Sequence, residues 1–287
     1  ITFVSLAINA NLIGSLLRKV KTNLYDHYSE MKYGYYSKKD TGYFINLINE
    51  QPTKALEAFN QLTTFTGHLA NATVLISLAF IATWEFGIFA SIVGIILLGI
   101  FMLLNNFVRS LSRKTANENG ILSKWLIQAL QGFKYLLATS QAKVLRAQII
   151  QSISKLTDYQ IKTGYAAAFT QSVREPIAVF FIMLVVIMQT LYFQRPIEPI
   201  LVSVVLFYRA LNAVLAVQSG FQGTFQHIGS MELVDKEFQN QRLNHEESGK
   251  IEVDKFEESI KFKNIKFSYD KQSILNNLNL EFKFNQT

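Results

Sequence analysis

Two long charge-free windows lie next to each other in the sequence, separated by a single acidic residue. The first covers 27 residues, 58–84, and after Glu85 the second covers 23 residues, 86–108. About 20 apolar residues in a helix cross the hydrocarbon core of a bilayer, because a helix rises ~1.5 Å per residue. The two windows therefore predict a pair of membrane-spanning helices joined by a tight turn. Buried core helices of a large soluble protein are the alternative, which adjacent windows of this length disfavour.

Three further segments have the same character. Residues 176–194 supply 19 uncharged positions, and residues 1–17 supply 17 that are typical of the end of a span already under way. A last helix is predicted over residues 199–226, interrupted by Arg209. The chain is 49% hydrophobic and 17% charged, which excludes a disordered protein and is too apolar for an ordinary soluble domain.

Lysine and arginine concentrate in two of the connections between these segments. Residues 18–57 hold seven of them and residues 109–175 hold ten, whereas the other two connections carry Arg195 alone. Basic loops stay on the cytoplasmic side of a membrane. We therefore interpret the net charge of +7 as a sign of topology, and expect no nucleic-acid partner. With five spans and an external start, the pattern also predicts a missing first helix, to make six.

Metal and thiol chemistry are excluded by composition. The chain has no cysteine, and its four histidines are scattered without the spacing of a metal-binding motif. We therefore expect no metal site within these residues.

The two basic intervals are predicted to be helical stalks, since they keep apolar residues at three-and-four spacing. Each pair of stalks needs a turn at its tip, for which residues 25–44 and 132–147 are the candidates. Six of the twelve tyrosines lie in the first. Tyrosine suits a surface half buried against a partner, and an aromatic belt at the membrane interface is the alternative.

The composition becomes charged and weakly helical after Met231, which indicates the end of the membrane domain. We place that domain at residues 1–238, a linker at 239–258, and two β-strands at 259–287. Ile260 and Phe262, like Leu280 and Phe282, alternate with polar residues as in strands with one buried face. Two strands cannot bury a core alone, so we interpret them as the opening of a larger, truncated domain.

Together these segments resemble ATP-binding cassette (ABC) exporters of the type I half-transporter class. LLRKVKTNLYDHYSEMKYGYYSKKDTGYFINLINEQPTKALEAF is similar to the first coupling loop, WLIQALQGFKYLLATSQ to the second, and IKFKNIKFSYDKQSILNNLNLEF to the first strands of the cassette. The resemblance implies an all-α polytopic membrane bundle with long cytosolic helix extensions, followed by the truncated first strands of an α/β nucleotide-binding domain.

The resemblance also implies roles for several residues. Tyr33, Tyr35, Tyr36 and Lys134 would lie at the coupling tips, and Tyr269 would stack on adenine, with a buried strand aromatic as its alternative role. No GxxxxGK motif followed by Ser or Thr occurs in the chain. We therefore expect no catalytic residue here, and expect ATP and Mg²⁺ to be bound mainly by a missing part of the nucleotide-binding domain.

Arg209 lies about 15 Å along its predicted helix, near the middle of the bilayer. A charge at that depth faces a cavity or a partner rather than lipid. We predict that Arg209, Gln218 and Gln222 form a polar stripe lining a substrate cavity, with an ion pair between Arg209 and Glu175 as the structural alternative. LFYRALNAV also resembles the sixth helix of lipid-linked oligosaccharide flippases, although Asn212 replaces a proline of that branch.

The resemblance implies a full-length ATP-hydrolysing translocase that exports or flips an amphipathic substrate by alternating access. Its partners would be membrane lipid and a second half-transporter, identical or different. We expect the bacterial inner membrane as its location, with the nucleotide-binding domain in the cytoplasm. A lipid-linked saccharide or another amphipathic anion is the favoured substrate, and a peptide or multidrug exporter is the alternative. A second alternative is a non-enzymatic channel or sensor with a different cytosolic domain.

Overall fold

A computed structural model describes residues 2–82, 84–187, 190, 197–246, 249, 259–269 and 272–284. These residues form long helices followed by a strand pair: α1 Thr2–Ser29, α2 Tyr33–Tyr36, α3 Thr41–Asn49, α4 Gln51–Ala82, α5 Trp84–Gln131, α6 Phe133–Ala138, α7 Ala142–Ile187, α8 Ile197–Leu243, β1 Ser259–Tyr269 and β2 Gln272–Lys283. The predicted helical bundle followed by two strands is confirmed.

Four helical stretches in the described part of the chain are long and apolar enough to cross a membrane: Thr41–Ile81, Ser91–Gln131, Ala142–Leu184 and Val204–Leu243. Each has 40 to 43 residues, or about 60 Å of helix, which is twice the thickness of the hydrocarbon core. Each helix therefore continues beyond a bilayer as a stalk, as predicted. The predicted span at residues 1–17 falls at the start of α1, which is not among the four. Residues 188–189 and 191–194 of another predicted span lie outside the described residues.

Short helices form both predicted tips. Helix α2 connects α1 to α3, and α6 connects α5 to α7. Gly132 separates α5 from α6, and Ser140 after α6 has a φ of 58°, so the chain reverses there with one residue in the left-handed region. Pro52 lies in the first turn of α4, where a missing backbone N–H is tolerated.

Helix α8 lies at the centre of the packing. It contributes to three separate buried apolar clusters, one with α5 and α7, one with α1 and α3, and one with α4. Phe207, Leu211 and Leu215 of α8 belong to the first cluster, Val234 to the second and Val217 to the third. Its position therefore orients the other helices.

Two glycines allow helix backbones to touch. A Cβ on Gly229 of α8 would lie 2.6 Å from backbone atoms of Ser112 and Arg113 in α5. A Cβ on Gly42 would lie 2.5 Å from the backbone of Lys124 in α5. No side chain fits at either place, so glycine is required by the close approach of the backbones.

The strands β1 and β2 form an antiparallel hairpin in which Ile260 pairs with Phe282 and Phe262 with Leu280. These residues lie on one face, as the alternation predicts. The register shifts between Phe262 and Ile265, where Asn264 adopts a φ of 54°. At the other end of the expected linker, α8 continues to Leu243, five residues beyond the expected end of the membrane domain at 238.

Candidate substrate cavity and coupling tips

Arg209 lies on the surface of α8, away from the helix bundle. Its neighbours Phe207, Ala210 and Leu211 are buried, whereas Arg209 and Tyr208 are exposed. Within the described part of the chain, no ion pair joins Arg209 to Glu175, which is itself exposed. A guanidinium on the outer face of a membrane-spanning helix requires a cavity or a second subunit beside it.

Gln218 and Gln222 do not share that face. Gln218 is 1% exposed and forms a reciprocal pair with Asn105 of α5: its Nε2 donates to Asn105 Oδ1 at 3.1 Å, and Asn105 Nδ2 donates to Gln218 Oε1 at 3.4 Å. Gln222 is buried as well. Nine residues separate Arg209 from Gln218, which corresponds to a rotation of about half a turn around the helix. The expected continuous stripe is therefore replaced by one exposed arginine and two buried amides.

A cavity of about 360 Å³ lies where α4, α5 and α8 meet. Asn105 and Gln218 are its amide-bearing residues, and the rest of its lining is apolar: Phe65, Leu69, Leu98, Gly99, Met102, Val217 and Phe221. Because the two amides satisfy each other, the cavity offers a hydrocarbon-like surface without a free charge. It therefore suits an apolar chain and not the anionic part of a substrate.

The first tip is an aromatic cluster around α2. Tyr36 stacks on Phe44 at a centroid distance of 5.6 Å, and Tyr28 packs edge-on against both rings. Tyr33 remains 62% exposed at the edge of an open cavity of about 490 Å³, which is lined by Lys32, Tyr33, Gly34, Tyr35, Ser37, Lys38 and Asn244. The predicted coupling residues Tyr33, Tyr35 and Tyr36 are thus brought together on one short helix.

A buried carboxylate of α8, that of Glu237, accepts hydrogen bonds from two tyrosines of the first tip. Glu237 is 0% exposed, and the Tyr35 hydroxyl donates to both of its oxygens at 3.0 and 3.1 Å. The Tyr43 hydroxyl donates to Glu237 Oε2 at 2.7 Å. Burial, together with the nearby Glu237 charge, raises the pKa of Tyr35 far above its ordinary value, so its hydroxyl remains a donor. Sequence reasoning missed Glu237, because it lies 202 positions from Tyr35 and carries no local motif.

The second tip presents a different surface. Lys134 is exposed on α6, as are the adjacent Phe133, Tyr135 and Leu137. Exposed apolar and aromatic side chains on one short helix favour contact with another protein surface. Lys134 lies on α6, whereas the three predicted tyrosines lie on α2, so the predicted coupling residues belong to two different short helices.

A charged cluster joins the α5 and α8 stalks. Arg113 donates from Nε to Glu232 Oε2 at 2.6 Å and from Nη2 to Oε1 at 2.8 Å. Arg109 Nη2 donates to Glu232 Oε1 at 2.8 Å, and its guanidinium lies 5.8 Å from the centroid of the Phe225 ring. The three side chains are partly exposed, so their arrangement orients the stalks more than it stabilises the fold.

Tyr269, the predicted adenine contact, ends β1 and pairs with Gln272 at the start of β2. The surroundings of its side chain lie outside the described residues. No group of three or more potential metal-ligating residues occurs in the part of the chain that the structure describes.

The described residues have the fold of a helical membrane protein with long stalks, and several known proteins resemble it. No family model matches the sequence. The chain is 18% identical over 280 residues to the heterocyst differentiation ATP-binding protein HepA of Nostoc sp., covering 95% of this chain and 45% of that protein. It is 21% identical over 275 residues to the ATP-dependent lipid A-core flippase of Photobacterium profundum, covering 93% and 46% respectively.

A solved structure, that of a bacterial Atm1-family ABC exporter with ATP bound, matches with a TM-score of 0.76 at 11% identity. The match covers 98% of this chain and 51% of that one. The predicted resemblance to an ABC exporter half-transporter is confirmed, and the chain is an integral membrane protein with that membrane-domain fold. It spans about half the length of the curated relatives that it matches.

Proposed function

We propose that this chain is the membrane-spanning part of one half of an ATP-driven exporter, whose substrate is amphipathic and carries an anionic group. The supporting observation is the combination of stalk helices and two exposed tips with the fold of an ABC exporter. ATP and Mg²⁺ would bind mainly outside this chain, with Tyr269 as its own contact to adenine. The tips at Tyr33, Tyr35, Tyr36 and Lys134 would transmit closure of the nucleotide-binding domains to the helices.

Arg209 supports the anionic substrate. It is exposed on a span, and among the residues that the structure describes it forms no ion pair with Glu175. A substrate with a charged head and a hydrocarbon tail would place its anion at Arg209. Its tail would lie along exposed apolar side chains on the same face of α8, such as Val205. A lipid-linked saccharide has this chemistry, and ATP-dependent lipid A-core flippases are among the relatives.

A second half-transporter is the proposed partner. Near the start of α1, Phe3 is 82% and Ile8 is 64% exposed, and Tyr208 and Arg209 of α8 are exposed as well. A second subunit that covers both surfaces would enclose Arg209 in a central cavity. The proposed location is the bacterial inner membrane.

ATP hydrolysis by the full-length protein in liposomes tests the proposal. A lipid phosphosaccharide is expected to stimulate hydrolysis, and Arg209→Ala should raise the concentration for half-maximal stimulation at least tenfold, which corresponds to about 1.4 kcal/mol of lost binding. Arg209→Lys, which keeps the charge, should have a smaller effect. Equal loss of basal and stimulated hydrolysis would assign Arg209 a folding role, and stimulation by hydrophobic cations or peptides instead would favour a multidrug or peptide exporter.

A further inference from the structure

The segment that follows α8 returns to the first tip. Met31 and His245 face each other in a short antiparallel bridge, flanked by two backbone hydrogen bonds of 2.8 Å, from Lys32 N to Asn244 O and from Glu246 N to Glu30 O. This bridge ties the connection between α1 and α2 to the first residues beyond α8. The tip is therefore attached to the start of the segment that leads toward the strand pair.

Glu237 provides a second attachment, about two helical turns before the end of α8. Its carboxylate accepts hydrogen bonds from Tyr35 of α2 and Tyr43 of α3, so it contacts both helices of the tip. No ion pair involves Glu237 in the described part of the chain. The Nζ of Lys39 lies 4.5 Å from the centroid of the Tyr43 ring instead.

A buried carboxylate without a counter-ion is costly unless hydrogen bonds compensate for its lost hydration. Here the compensation comes from tyrosine hydroxyls of the tip, and hydrogen bonds to an ionised group are the stronger kind. Moving the tip away from α8 would break these charge-assisted hydrogen bonds. The tip and the base of α8 are therefore held together by the three hydrogen bonds to Glu237 as well as by apolar packing.

We propose that Glu237 is a positioning residue that fastens the first tip to the base of α8, so that the tip and the segment beyond α8 move as one unit. The consequence for transport rests on the proposed function, because only in an exporter would this unit transmit motion to the membrane helices. The attachment itself does not depend on that function.

A cysteine pair at Met31 and His245 measures the attachment directly. Opposed residues flanked by hydrogen bonds in this way have Cα atoms about 4.5 Å apart, within the range that a disulfide bridges. The chain contains no cysteine, so these 287 residues supply no competing thiol. In the full-length protein carrying Met31→Cys and His245→Cys, equilibration with a glutathione buffer gives the effective concentration of the two thiols.

Adding Glu237→Gln is expected to lower that effective concentration at least fivefold, because the neutral amide loses the charge that strengthens both hydrogen bonds and replaces one acceptor oxygen with an NH2 donor. Tyr35→Phe combined with Tyr43→Phe should lower it similarly. The matched control is Glu118→Gln, which alters another buried carboxylate, one bonded to Ser152 between α5 and α7. An unchanged effective concentration in Glu237→Gln, or an equal fall in Glu118→Gln, would overturn the proposal.

Hydrolysis of ATP gives the second readout. With the cysteines reduced, Glu237→Gln should lose at least half of the stimulation by substrate while keeping its basal rate, and formation of the disulfide should restore that stimulation. If the disulfide forms and the stimulation stays low, Glu237 does not act through the tip. Absence of any ATP hydrolysis in the parent protein would contradict the proposed function, whereas the thiol equilibrium would still decide the attachment.

Discussion

The backbone N–H of Gly229 on α8 donates a hydrogen bond of 2.9 Å to the hydroxyl of Ser112 on α5. Contact at this distance leaves no room for a side chain on Gly229. We expect Gly229→Ala to lower the free energy of unfolding by about 1–3 kcal/mol, the range for overpacking a tight contact. Thermal unfolding in detergent measures the change.

Gly164→Ala is the matched control for Gly229→Ala. Gly164 lies inside α7, and a Cβ there would meet no atom within 4 Å. Alanine in a helix interior is favoured over glycine by about 1 kcal/mol, so this variant should be neutral or slightly stabilised. Equal destabilisation of both variants would contradict the importance of the α5–α8 contact.

The hydrogen-bonded pair of Asn105 and Gln218 predicts that substitutions of the two residues have non-additive effects on stability. Asn105→Leu or Gln218→Leu alone leaves one buried amide without its partner, at a cost of about 1–2 kcal/mol. The double substitution removes both amides from an apolar cavity and should cost less than the sum of the two. A double-mutant cycle on the melting temperature tests this, and simple additivity would show that the two amides do not interact.

The salt bridges of Glu232 predict a modest effect that depends on salt. Glu232→Gln removes the charge that Arg109 and Arg113 share, and we expect a loss of about 1 kcal/mol, since these side chains are partly exposed. The loss should shrink at high ionic strength, because salt screens exposed charges. Asp158→Asn, which breaks the exposed pair with Lys162 within α7, should cost at most about 0.5 kcal/mol. A loss for Glu232→Gln that is no larger than this would indicate that the cluster does not join the stalks.

Tyr269 predicts a change in nucleotide binding by the full-length protein. If its ring stacks on adenine, Tyr269→Ala should weaken ATP binding by about 1–3 kcal/mol, the value of a base–aromatic stack. Tyr269→Phe keeps the ring and should bind ATP nearly as well as the parent. Equal affinity of the alanine variant and the parent would leave Tyr269 the role of a strand aromatic.

The sequence predicted those features that depend on local periodicity. The apolar windows, the stalks beyond them and the strand alternation around Phe262 and Phe282 all follow from residues close together in the chain. The positions of the two tips were also predicted correctly. The first tip lies where the tyrosines cluster and the second lies after Gly132, and turns of this kind are marked by residues close together in the chain.

Contacts between distant helices were not accessible in that way. Glu237 and its tyrosines, or Glu232 and its arginines, meet only through the packing of α8, and a lone glutamate gives no sign of its partner. Gln218 is a different case, since nine positions at about 100° each place it opposite Arg209. The helical angle between these two residues follows from their spacing alone, and it is enough to put them on different faces of α8.

Helices α5 and α7 extend without a break through 48 and 46 residues. A rod of that length measures about 70 Å, so a tilt of about 10° around its midpoint displaces each end by ~6 Å. Such a helix acts as a lever, in which a small change of angle at mid-membrane becomes a displacement larger than an atomic contact at the tip. Mechanical advantage of this kind requires rigidity along the whole rod, which backbone hydrogen bonding supplies in α5, whereas Pro176 removes one backbone donor from α7.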